Sequence, residues 1–97
     1  MKKSPFVLIV DSDRAWAEGV ADLFVAYGYE AEVVANRRQV VEHARRADFD
    51  IAFMDARDAD SFSEIRDQKP QARIVMMAST NTRPSFKHML EIVETAV

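Results

Sequence analysis

The chain has 97 residues, 48% of them hydrophobic, with 13 Lys and Arg against 16 Asp and Glu for a net charge of -3. That length makes one small domain, residues 1–97, with room for a single core, and the composition excludes a disordered or membrane-embedded chain. The acidic balance excludes a global field for nucleic acid or an anionic membrane, and the lack of cysteine removes disulfides, thiolate nucleophiles and thiolate metal sites.

Phe6-Val-Leu-Ile-Val10 is too short for the apolar core of a signal peptide, but it is apolar on both faces as a buried parallel strand requires. No run approaches the ~20 residues of a membrane span, so a cytoplasmic protein with no membrane partner is expected. Asp11-Ser12-Asp13 ends the first strand. Trp16, Val20, Leu23, Phe24 and Tyr27 then mark one apolar stripe of a helix that Gly28 closes.

Glu30 to Val34 reads as a second strand. Asn36 to Gln39 has the form of a helix N-cap with a reciprocal partner, and Val40, Val41, Ala44 and Ala47 supply that helix's buried side. Its Arg37, Arg38, Arg45 and Arg46 read as a solvated face, and His43 and His88 as surface residues on separate helices. Ile51 to Met54 is a third buried strand running into Asp55. A helix around Phe62 and Ile65 stops before Pro70, Ile74 to Ala78 is a fourth buried strand, and Ser79 to Arg83 is polar. A last helix begins after Pro84 and carries the stripe Phe86, Met89, Leu90, Val93 and Val97.

Strands alternating with helices predict an α/β fold with a doubly wound parallel sheet, in which function sits beyond the C-terminal ends of the strands. Those ends hold Asp11, Ser12 and Asp13, then Asp55, then Ala78, Ser79 and Thr80. Carboxylates from two neighbouring strand ends repel one another unless a cation joins them, and hard oxygen ligands of this kind suit Mg²⁺. The competing reading is structural, since an Asp after a strand often caps the next helix; it applies most directly to Asp13.

Val7 to Asp13, the Gly28-Tyr29-Glu30 turn, Asp48 to Asp55 and Arg73 to Ser79, in this order and spacing, resemble the receiver domain of two-component response regulators. The resemblance implies a flavodoxin-like sheet of strand order 2-1-3-4, with the fifth strand and its helix missing. It implies a signalling domain rather than an enzyme, accepting a phosphoryl group on Asp55 from a sensor histidine kinase or a phosphotransfer protein in a phosphorelay. It also implies Mg²⁺ held by Asp11, Ser12, Asp13, Asp55 and the backbone carbonyl of Arg57, with Ala78 or Ser79 at the switch position. Asp11-Ser12-Asp13 is also similar to the start of the haloacid dehalogenase motif, without that family's later Lys and acidic pair.

The sequence departs from the receiver pattern at several places. The second acidic position is Ser12, the switch hydroxyl aligns with Ala78, the loop after Asp55 is shortened, and no Lys follows a fifth strand. A degenerate receiver kept as a protein interaction or dimerisation module, without phosphorylation, is therefore the alternative. Without a fifth strand, the fourth becomes an exposed apolar edge, and one sheet face has only the Trp16 helix to cover it. Two expectations follow: the 97 residues are a piece of a longer regulator, or a homodimer covers the gap, with exchange of the C-terminal helix as one route. No direct nucleic-acid binding is expected.

Overall fold

The computed structural model describes residues 5–35, 38–39, 42, 49–56, 62–68, 70–77 and 84–96. Along the chain these give β1 (Phe6–Val10), α1 (Arg14–Ala26), β2 (Glu30–Val34), β3 (Ile51–Asp55), α2 (Phe62–Gln68), β4 (Arg73–Met77) and α3 (Phe86–Ala96). The four strands form one parallel sheet in the order β2-β1-β3-β4, as the alternation of elements predicts. The two central strands carry the unbroken apolar runs because both of their faces are covered.

Side chains alternate across the sheet and so build two cores. Val7, Ile9, Ile51, Phe53 and Met77 meet Ala17, Val20, Ala21 and Phe24 of α1 and Met89 and Val93 of α3 on one face. Leu8, Val10, Ala52 and Met54 meet Ile65 of α2, with Val34, Phe49 and Ala72, on the other. At the N-terminal edge of the sheet Asp50 ties three strands together. Its Oδ2 accepts from Phe6 N at 2.8 Å, its N–H donates to Phe6 O at 2.9 Å, and its carbonyl accepts from Arg73 N at 3.1 Å.

α1 is closed at both ends by local chemistry. Asp13 is its N-cap and accepts from Trp16 N at 3.2 Å, which satisfies one of the first-turn donors. At the other end Tyr29 N donates to Phe24 O and Gly28 N to Val25 O, each at 3.0 Å, the paired bonds of a Schellman motif. Gly28 has φ +92°, a conformation that a Cβ would strain. The accompanying apolar contact is between Phe24 and Tyr29, edge to face with ring centroids 6.0 Å apart.

Three expectations need correction. The helix stripe is rotated: Ala17 and Ala21 face the sheet with Val20 and Phe24, while Leu23 and Tyr27 are exposed and Trp16 is half-buried. Alanine lets the helix backbone approach the sheet, so the larger residues move to the flanks. The fourth strand is not buried. Only Met77 is, while Ile74 and Val75 are half-buried and Arg73 and Met76 exposed, because among the described residues β4 pairs with β3 alone.

The Trp16 helix is not alone on its face. α3 packs beside it in the same chain, with Phe86 on Phe24 at 4.9 Å and on Tyr27 at 5.3 Å between ring centroids. The face is thus covered by two helices of one chain and not by α1 alone. α3 begins after Pro84 as expected, with Ser85 as its cap: His88 N donates to Ser85 Oγ at 3.2 Å and Met89 N to Ser85 O at 3.1 Å.

The expected cap at Asn36 lies outside the described residues, as do His43, Val40, Val41, Ala44 and Ala47. Gln39 reaches back to accept from Ala35 N at 2.8 Å, one residue before the position expected of it. Arg38 approaches Glu42 at 3.8 Å on an exposed surface, and His88 is exposed.

Candidate functional site

β1 and β3 run side by side in parallel, with Val10 in register with Met54. One step further along, Asp11 and Asp55 stand at adjacent strand ends. Both are buried, with relative exposures of 0% and 1%, and they are the buried charged residues of the described core. Asp55 is itself the last residue of β3, flanked by Met77 of β4 in register. The sequence dictates this placement, since an apolar strand that ends in an Asp carries the carboxylate to the rim of the sheet while its backbone is still held by both neighbours.

Asp11 is held by its backbone and by its side chain. Its N–H donates to Val34 O at 3.1 Å, extending the pairing of β1 with β2 by one residue. Its Oδ1 accepts from Asp13 N at 2.8 Å, an Asp-to-i+2 turn that the Asp-x-Asp spacing favours. Asp13 in turn is the N-cap of α1. The β1–α1 loop is therefore a short relay in which one carboxylate orders the turn and the next starts the helix.

The other predicted site residues divide clearly. Ser12 and Asp13 flank Asp11 with exposed side chains. Arg57, Ala78 and Ser79 lie outside the described residues. The structure thus brings together Asp11 and Asp55, with Ser12 and Asp13 at the rim. Sequence reasoning missed Asp50, whose signal was an acid immediately before an apolar strand.

The donor chemistry fits Mg²⁺. Two buried carboxylates at one point in the fold are hard oxygen ligands whose mutual repulsion a divalent cation relieves. Among the described residues no three His, Cys, Asp or Glu side chains form a complete metal cage. One or two carboxylates with water and phosphate oxygens is the usual Mg²⁺ arrangement, and a full protein cage is not. No helix among the described residues is long and apolar enough to cross a membrane.

The comparisons agree with this geometry. Residues 7–94 match the family model described as the response regulator receiver domain. No curated protein matches the sequence. Among solved structures, a CheY-like receiver domain protein from Methanospirillum hungatei superposes with a TM-score of 0.87 at 16% identity, over 96% of this chain and 93% of that one. The response regulator TrrA of Thermotoga maritima, solved in complex with Mg²⁺-BeF, gives 0.82 at 18% identity over 96% and 99%. The same regulator in complex with the histidine kinase ThkA gives 0.80 at 18% identity over 96% and 98%. With four parallel strands in the order 2-1-3-4, paired acids at the ends of β1 and β3, and a family match that spans most of its length, the chain belongs to the response regulator receiver domain family.

Proposed function

We propose that this domain is a phosphorylation-controlled switch in which Asp55 accepts a phosphoryl group from a histidine kinase or a phosphotransfer protein in the cytoplasm. The observation that carries the proposal is the pair of buried carboxylates, Asp11 and Asp55, on adjacent parallel strand ends. A buried like-charge pair costs stability, and a site that holds a cation while it accepts a phosphoryl group gives that cost a use.

In the transfer, a carboxylate oxygen of Asp55 attacks the phosphorus of a phosphohistidine in line with the departing imidazole. The P–N bond breaks, an acyl phosphate forms, and the imidazole leaves with the bonding electron pair. The chain's task is positioning. The backbone pairing of β3 with β1 and β4 fixes Asp55, and the Asp13 N–H fixes Asp11 Oδ1. Asp11 would hold Mg²⁺ with Asp55, assisted by Asp13, Ser12 and the Arg57 carbonyl. When bound there, the cation would supply charge neutralisation for the transferring phosphoryl oxygens. The acyl phosphate then draws a donor to it, a role assigned to Ser79 beside Ala78, and the adjacent surface changes shape.

One observation favours the second reading, an interaction module without phosphorylation: the neutral Ser12 stands where a second acid would strengthen the cation site. Intact mass after incubation with Mg²⁺ and a small acyl phosphate separates the two. A phosphoryl adduct that Asp55→Asn abolishes is the expected result, and a well-folded wild-type chain that takes no adduct would establish the interaction module.

A further inference from the structure

The two edges of the sheet are built differently. β2 presents Glu30 and Glu32, both exposed, and charge of this kind discourages pairing with another strand. β4 presents Ile74, Val75 and Met76, half-buried or exposed, and Arg73 is its one charged residue. The hydrogen-bonding sense of that edge is fixed. Arg73 N donates at 3.1 Å to the carbonyl of Asp50, the residue just before β3, so the backbone groups of residues 73, 75 and 77 are directed at β3. By alternation, those of Ile74 and Met76 are directed away from the sheet.

We propose that two copies of this chain pair antiparallel through β4, about a two-fold axis at Val75, and that each copy presents its Arg73 to the carboxylate pair of the other. In this arrangement Ile74 of one copy faces Met76 of the other as a hydrogen-bonded pair, and the symmetry repeats it. All the outward-directed groups of both residues are then satisfied, and Val75 meets its equivalent in the close, non-hydrogen-bonded position. The faces also agree. A two-fold axis normal to the sheet keeps α1 and α3 on one side of the extended sheet in both copies.

Charge selects this occupant. Antiparallel pairing sets Arg73 of the partner subunit opposite Met77, which is in register with Asp55. Residues 73, 75 and 77 of β4 and 51, 53 and 55 of β3 share the α1 face by alternation. The partner's Arg73 thus stands two strand spacings from Asp55, about 10 Å, and its long side chain brings the guanidinium toward the buried acids. A phosphoryl group on Asp55 extends the negative charge in that direction, so phosphorylation and pairing strengthen each other. One strand edge buries less than a stable interface requires, so the unmodified dimer is weak and depends on concentration. The role of Arg73 rests on Asp55 as phosphoryl acceptor; the pairing does not.

The chain has no cysteine, so introduced thiols report the register directly. Val75→Cys places two thiols at the axis, where Cα atoms in a close antiparallel pair lie within disulfide range. Under mild oxidation it forms a cross-linked dimer, while Ile74→Cys, displaced from its own equivalent, stays largely monomeric. Equal cross-linking at the two positions, or none at Val75, overturns the pairing. Met76→Pro, which removes an outward N–H and leaves the β3 bonds intact, abolishes the concentration-dependent dimer seen by sedimentation, with an unchanged circular dichroism spectrum.

For Arg73, chains carrying Arg73→Ala are phosphorylated by a small acyl phosphate at least about tenfold more slowly, and mixing in Asp55→Asn chains, which retain Arg73, restores the rate. Failure of that rescue, with a wild type that takes the adduct, overturns the role of Arg73. If Val75→Cys forms the cross-link but the wild type takes no adduct, the acceptor reading and the role of Arg73 fall and the pairing stands.

Discussion

Phe24 shows how much one side chain does in so small a domain. It is fully buried, stacks on Phe53 of the sheet at 6.1 Å, meets Tyr29 of the Schellman turn and receives Phe86 of α3. It therefore joins helix, strand, turn and terminal helix at one point. Phe24→Ala is expected to cost about 3–5 kcal/mol, read as a drop in the urea midpoint at unchanged slope; a loss under about 1 kcal/mol would show that the face collapses around the gap. Gly28→Ala has a different cause, since open space surrounds the missing Cβ and only the positive φ is offended. It should cost about 1–2 kcal/mol, and the loss should be of similar size for any other β-carbon residue tried there.

At the scale of elements, α3 decides whether the α1 face is a core or a surface. Its Met89 and Val93 are fully buried against the sheet, so replacing Met89 by Ala is expected to lower stability by about 2–5 kcal/mol. Lys87→Ala on the exposed side should change it by less than about 0.5 kcal/mol. Similar effects at both positions in thermal melts would mean that α3 is not docked. The sequence foretold this helix and its stripe, because Phe86, Met89, Leu90 and Val93 recur at helical spacing. It did not foretell the face. A stripe says which side of a helix is buried and nothing about which side of the sheet receives it, so the helix was expected to leave α1 uncovered. The same limit explains α1 itself. Periodicity marked Trp16, Leu23 and Tyr27 along with Val20 and Phe24, but close approach to the sheet selected Ala17 and Ala21. The strands were more legible, since an apolar run of β-branched residues has one solution when both faces are covered. The candidate site was legible for a related reason: Asp11 and Asp55 end such runs, and the register of β1 on β3 does the rest. Arg57, Ala78 and Ser79 lie outside the described residues.

For the whole molecule, the consequence of burying two like charges is a stability that depends on the cation. Asp11 and Asp55 are both taken out of water at neighbouring strand ends, and in the ionised state their repulsion opposes folding. A divalent cation between them acts on the folded state alone, because the unfolded chain does not bring the two carboxylates together. At a tenfold excess over Kd such binding adds about 1.4 kcal/mol. In a domain of this size that raises Tm by roughly 5–10 °C. Asp55→Asn removes one charge of the pair, so it should melt higher than the wild type without Mg²⁺ and gain little when Mg²⁺ is added. Asp11→Asn should likewise lose the Mg²⁺ response, and its baseline should rise by less, because a neutral amide oxygen accepts from Asp13 N more weakly than the carboxylate does. Calorimetric scans of the three proteins with and without Mg²⁺ give the answer, with Ca²⁺ as a second hard cation. If all three rise equally, the cation binds elsewhere and the buried pair is not its site. If only the wild type rises, the acid pair is a cation site whose occupancy sets how far the end of β3 is braced before any phosphoryl group arrives.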